Sequence, residues 1–196
     1  MRIAKYLIIG LAILFFGCAT HTSPKREIHN KEFNWTIVIP ENFDTINVVQ
    51  WEKMKNRGKK AIENTYNEKM EVATKEIFVF KSDQLNYFES NYQPFDTAID
   101  GSYLEACKNV NTMLYQTFIT QMPGVKVDTM ASVEKIDNLD FQSSKIKVTY
   151  PNKMVMNVSM YSRLFDKKEM SVSIIYVDTV KGNSMLNSFR NSKFGG

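Results

Sequence analysis

Chemistry in this chain has to come from a short list of side chains. The only histidines, His21 and His29, sit in a polar stretch near the start, outside the expected fold. Without an imidazole in the body of the chain, Ser-His-Asp and Cys-His catalysis and any multi-histidine zinc site are disfavoured. Carboxylate-only chemistry survives. Cys107 falls on the apolar stripe of an expected helix, where a thiol packs as a small buried hydrophobe, and a nucleophilic thiolate would want a neighbouring His. Met154, Met156 and Met160 cluster as Cu(I)-binding thioethers would, yet with Val158 and Leu164 they also alternate along one strand face as adaptable core fillers. The core reading is the simpler one, so neither a metal nor another cofactor is expected. Arg57-Gly58-Lys59-Lys60 lacks the first glycine and the Ser or Thr of a phosphate loop and reads as solvated surface. Asp137 and Asp140 share one turn, but nothing in the sequence would desolvate one of them into an acid, so turn formation is the better account.

One pattern recurs. Asp-Thr followed by an apolar residue occurs at Asp44-Thr45-Ile46, Asp96-Thr97-Ala98, Asp128-Thr129-Met130 and Asp178-Thr179-Val180. Nine Asp residues in this composition would supply roughly half of one such triplet by chance, although turns also favour Asp-Thr. The triplet resembles the O-glycosylation sequon of one large group of Gram-negative bacteria, which implies glycans on Thr45, Thr97, Thr129 and Thr179. Thr129 is the exception to watch, because strand alternation puts it on the face of Val127 and Ala131.

Residues 1–18 read as an export signal. Arg2 and Lys5 form a cationic head, and residues 6–16 are an almost purely apolar run that stops at Gly17-Cys18. That run of about 11 residues is well short of the roughly 20 a permanent membrane helix needs. A Cys after a small residue at this point resembles the bacterial lipoprotein signal, which implies cleavage before Cys18 and acylation of Cys18; the plainer alternative is a cut near Ala19. Ala19 after the Cys, where an Asp would signal inner-membrane retention, points to the inner face of the outer membrane. Losing Arg2 and Lys5 with the leader brings the formal charge from +4 to +2, which gives no reason to expect a nucleic-acid partner.

The rest of the chain must position whatever site exists. Residues 18–32 are polar and aperiodic and read as the lipidated Cys and a flexible tether; residues 33–194 are expected to form a single domain. Phe33, Trp35, Ile37 and Ile39 alternate as a first strand closed by Pro40. Residues 48–51 suggest a short strand and 52–69 a short exposed helix. The aromatic runs 76–80 and 85–93 form a hairpin, and 94–101 a loop. Ser102 and Glu105 have capping-box spacing, with Leu104, Cys107, Val110, Leu114 and Phe118 on one face of the helix that follows. Residues 125–135, 141–150, 154–165 and 170–177 alternate as a four-strand meander with turns at Asp137-Asn138, Pro151-Asn152 and residues 166–168. A closing helix at 183–193 presents Met185, Leu186 and Phe189. The order predicts an α+β fold, an antiparallel sheet with a C-terminal four-strand meander covered by helices.

An apolar strand running into Pro-Glu-Asn-Phe (residues 40–43), a long helix before a four-strand meander, and a short C-terminal helix with Asn187-Ser188-Phe189-Arg190 resemble the Mog/PsbP-like α/β/α sandwich over residues 33–194. The resemblance implies a non-enzymatic accessory or binding module and carries over no catalytic residue. The expectation is a lipid-anchored envelope protein that binds an envelope protein or small ligand. The rivals are a carboxylate-dependent hydrolase, which needs two converging acids, and a carrier of a lipid or other apolar molecule, which needs a cavity between sheet and helices.

Overall fold

The structure is a computed structural model that describes residues 26–46, 48–69 and 74–195. Residues 1–25, including Cys18, lie outside the described residues. Along the chain, β1 (Arg26–Asn30), β2 (Trp35–Ile39) and β3 (Asp44–Thr45) precede α1 (Val48–Tyr66). The hairpin of β4 (Lys75–Asp83) and β5 (Asn86–Pro94) leads through the short α2 (Thr97–Asp100) to α3 (Tyr103–Gln121). The meander follows as β6 (Lys126–Ile136), β7 (Leu139–Thr149), β8 (Val155–Phe165) and β9 (Lys168–Tyr176), and α4 (Thr179–Arg190) and β10 (Lys193–Phe194) close the chain.

Two antiparallel sheets result, one of seven strands in the order β3-β4-β5-β9-β8-β7-β6 and one of three in the order β1-β2-β10. The meander is as expected. Asp137 and Asn138 take φ of 46° and 64°, the left-handed pair that lets a two-residue hairpin turn match the strand twist. Ser102 caps α3 through a hydrogen bond from the Glu105 amide, and Asp178 caps α4 through its bonds from the Val180 and Lys181 amides, which starts that helix four residues earlier than expected.

Strand alternation sorts the large sheet into two unlike faces. On one, Phe80, Phe88, Phe141, Tyr161, Met170, Val172 and Ile174 meet Met185 and Phe189 of α4 and Trp35 and Ile37 of β2 in a single buried cluster. On the other lie α1 and α3, which run beside each other, with α3 against β6 and β7. There a smaller cluster of Ile146, Val148 and Val158 holds Leu114 and Phe118 of α3, with Met156 and Met160 packed beside it.

Several expectations need correction. The domain begins before Phe33, because Arg26–Asn30, assigned to the tether, pairs along its whole length with β2. His29 is therefore part of the fold, its Nδ1 2.9 Å from the Thr36 hydroxyl oxygen. The strand of Phe33 to Ile39 sits in the smaller sheet, because its inward residues pack face-on against the large one: the Trp35 ring lies 5.1 Å from that of Phe78 and 6.3 Å from that of Phe88. Residues 48–51 begin α1 and are not a strand. Trp51 and Lys55, one helical turn apart, both reach Glu76, and that contact outweighs the strand preference of Val48 and Val49.

Candidate ligand groove

The α3 face of the sheet is unusual in what its alternation points outward. Gln142, Ser162 and Ser171 are consecutive cross-strand partners on β7, β8 and β9, and Ser144, Met160 and Ser173 form the next row. Serine is a poor strand former and offers a helix little to settle on. The consequence appears in α3. Its C-terminal half is held by the cluster around Ile146, whereas Leu104 and Val110 in its N-terminal half stay 53% and 42% exposed.

Between that half of α3 and the sheet runs a groove of about 410 Å³. Leu104, Cys107, Lys108, Val110 and Asn111 form its roof; its floor passes from Gln93 and Glu169 through Ser171, Ser173 and Met160 to Ser144, Ala131 and Val133. Crossing five strands, it spans about 19 Å at the usual interstrand spacing. The Tyr103 hydroxyl, 2.8 Å from that of Ser162, pins the start of α3 to β8, and its ring packs edge-on against Phe95 at 5.6 Å. Among the described residues, the hydroxyls of Ser144, Ser171 and Ser173 take no protein hydrogen bond, so they remain available to water or a ligand. A second hollow of about 390 Å³ lies between α1 and α3, lined by Ile62, Tyr66, Val110 and Met113 among others.

The electrostatics of this face differ from those of the surface. Glu169 accepts from the Gln93 amide at 2.8 Å, and burial pushes its carboxyl above the ordinary value. Two rows along, on β5, burial and the neighbouring Glu76 push Glu89 up to about 7, with Lys55 opposing them. Lys55 itself is spent on Glu76 at 2.6 Å. Desolvation is the first cause for both acids, as for a carboxyl held among protein atoms without a dedicated cation.

The sequence candidates fall elsewhere, with two exceptions. Cys107 does line the groove, half-buried and 3.5 Å from the Ser162 hydroxyl, so it is not the fully buried thiol expected. Met160 lies on the groove floor and Met156 in the cluster beside it, as core fillers do, while Met154 precedes β8 and is exposed. Among the described residues no group of three His, Cys, Asp or Glu could hold a metal ion. Arg57-Gly58-Lys59-Lys60 lies within α1, with Lys59 3.7 Å from Glu63. Asp137 accepts from the Phe194 amide and Lys193, which hold its carboxyl low, and Asp140 pairs with Lys135. Among the described residues the groove is lined by one carboxylate, that of Glu169. Glu32 and Asp166 share a different hollow, where Glu32 is ion-paired with Lys168.

All four triplet threonines are exposed. Thr45 and Thr129 lie on β3 and β6, the two edge strands of the large sheet. Thr97 and Thr179 are first residues of α2 and α4, where Asp96 and Asp178 are the helix caps. Capping thus accounts for the Asp in two triplets. It does not account for Asp44 or Asp128. Thr129 does share the α3 face with Val127 and Ala131, as alternation requires, but it stays uncovered there.

No protein-family model matches the chain, and no curated protein matches it in sequence. Among solved structures, the solution structure of the cyanobacterial PsbP protein CyanoP from Synechocystis is similar, with a TM-score of 0.56 at 9% identity, covering 92% of this chain and 99% of that one. A crystal structure from Bacteroides thetaiotaomicron reaches a TM-score of 0.48 at 7% identity over 88% of this chain and 49% of that one. Such identities speak of architecture alone. With antiparallel sheets and four helices among the described residues, the chain has the PsbP-like α+β fold.

Proposed function

We propose that the chain is a lipid-anchored cell-envelope protein whose domain serves as an accessory or binding module and turns nothing over. The single observation that carries the binding part is the groove beneath α3, of a size suited to a small ligand, apolar along its rim and supplied with unspent hydroxyls on its floor. One carboxylate in that groove is too few for the paired-acid hydrolysis of the rival reading. A carrier of apolar molecules is the second reading. Leu104, Val110, Val133 and Met160 favour it, and the serine floor speaks for a ligand with polar groups as well.

The anchor rests on the sequence before the domain, with Cys18 as the acylated residue and the inner face of the outer membrane as the location. β1 takes Arg26–Asn30 out of the tether this requires and into the fold. The exposure of Thr45, Thr97, Thr129 and Thr179 supports glycosylation of all four, Thr129 included.

Crosslinking in native membranes followed by purification through the full-length chain tests the binding role, with a Cys18→Ser variant as the paired sample. The expected result is a specific crosslinked partner or ligand, and release of the Ser variant from membranes after a carbonate wash. A chain with no crosslinked species contradicts the binding role, and a Ser variant that still pellets contradicts the anchor. Intact mass of the native protein tests the glycans: a mass equal to the lipidated polypeptide returns the triplets to capping and turn chemistry.

A further inference from the structure

We infer that the groove beneath α3 takes an organic cation, a protonated amine on an aliphatic body, with the amine seated at Glu169. The inference rests on the reading of this groove as a binding site and adds the chemical class of its ligand. Leu104, Val110, Val133 and Met160 offer the aliphatic contact. The hydroxyls of Ser144, Ser171 and Ser173 are neutral and accept any small polar group. Glu169 is the group that discriminates, because among the described residues it is the one carboxylate in the lining.

Its surroundings leave its charge unmatched. On β9 it faces Gln93 of β5, whose amide Nε2 donates to Oε2 at 2.8 Å. Among the described residues Oε1 accepts from no donor and no lysine or arginine pairs with this carboxylate. The other titratable groups nearby include Tyr103 on α3, whose hydroxyl is bonded to Ser162, Cys107 on the roof, 3.5 Å from the Ser162 hydroxyl, and Lys108 on the roof, which is exposed and makes no ion pair with Glu169. Elsewhere Glu76 is matched by Lys55 and Glu134 by Arg190, while Glu89, on the same face of the sheet but outside the groove lining, has no cation of its own among the described residues. Burial therefore raises the Glu169 carboxyl with no cation to bring it back down. A neutral ligand would leave that deficit in place and an anionic one would deepen it. A ligand ammonium would supply the missing charge through a charge-assisted hydrogen bond to the free oxygen, in a setting where water screens it weakly.

Titration of the full-length protein with hexylamine, 1-hexanol and hexanoate at about pH 7.5, followed by the amide resonances of α3, β8 and β9, tests this. Hexylamine is expected to bind about tenfold more tightly than hexanol, with hexanoate weakest, the scale of one charge-assisted hydrogen bond. Glu169→Gln should bring hexylamine to the level of hexanol and leave hexanol unchanged, with the α4-face resonances reporting that the variant is folded. Equal binding of hexylamine and hexanol to the parent chain, or an amine preference that survives Glu169→Gln, overturns the cation and leaves the groove standing. Failure of all three probes to shift these resonances, or shifts that persist in a groove-filling Ser171→Phe variant, overturns the groove itself.

Discussion

The two faces of the seven-stranded sheet are built from the same strands and do opposite things. Toward α4, large apolar residues close over the few buried serines, Ser90, Ser143 and Ser159, and the rings of Trp35, Phe88, Phe141 and Phe189 interlock with less than 1% of each exposed. Toward α3, beyond the small cluster of Ile146, Val148 and Val158, the intervening residues include Ser144, Ser162, Ser171, Ser173, Glu89 and Glu169, and the covering helix keeps Leu104 and Val110 in solvent. A sheet that buries one face well has met the hydrophobic requirement of a domain this size. Its second face is then free to be underpacked and polar, as a binding surface needs to be.

The largest contrast should come from deleting one side chain on each face. Phe189 has ring neighbours in Trp35, Phe141 and Tyr161 at 6.1, 5.6 and 4.9 Å, so Phe189→Ala is expected to cost about 3–5 kcal/mol in urea unfolding. Ser144→Ala, on the other face, removes a hydroxyl without a protein partner and should change stability by no more than about 0.5 kcal/mol. Comparable losses would break the distinction.

Gly182 sharpens it within α4. A Cβ there would stand 2.3 Å from Cδ2 of the Tyr176 ring, so the helix approaches β9 as closely as a glycine permits. Gly182→Ala gains helix propensity but must displace that ring, and the net expectation is a loss of about 2 kcal/mol, read from the shift in denaturation midpoint.

The α3 face should instead show itself through pH. Glu89 is held up to about 7 in the fold from an ordinary 4.5. Between those values the folded chain keeps a proton that the unfolded chain has lost, so stability falls as pH rises through this window and stays lower above it. Because Glu89 is only partly enclosed, the loss is expected to be about 1–2 kcal/mol. Glu89→Gln should remove the slope and be the more stable form above about pH 7. A profile identical in both proteins would mean that the carboxyl is solvated and this face no less hydrated than the surface.

Much of the well-packed face was legible in the sequence, and little of the other. Alternation gave the meander, and Met185, Leu186 and Phe189 at helical spacing marked the face α4 buries. Alternation says which residues share a face and not which layer a strand joins, so β2 was readable as a strand but not as part of a second sheet. β1 was missed because Arg-Glu-Ile-His-Asn is mostly exposed and has no apolar period. The groove had a signal that went unread. Serines at 144, 162, 171 and 173 recur on one face of three neighbouring strands, but Ser90, Ser143 and Ser159 lie buried on the other, so only the strand pairing shows which serines gather in the groove. Glu89 and Glu169 could not be singled out, since their environment is made by strands 80 residues apart in sequence. The exposure of Thr129 depended on where α3 stops covering β6, which spacing does not encode.

Native-state hydrogen exchange of the full-length chain tests the contrast between the faces most directly, because it reports the opening free energy of each segment separately. Amides of α4, β8 and β9 are expected to exchange only through global unfolding. Those of Tyr103 to Val110 in α3, over the groove, should exchange by a local opening several kcal/mol less costly, while Leu114 to Phe118 lies between. Protection of residues 103–110 equal to that of α4 would contradict the account, since it would mean that α3 is held as tightly as α4 and that the groove is part of the packed interior.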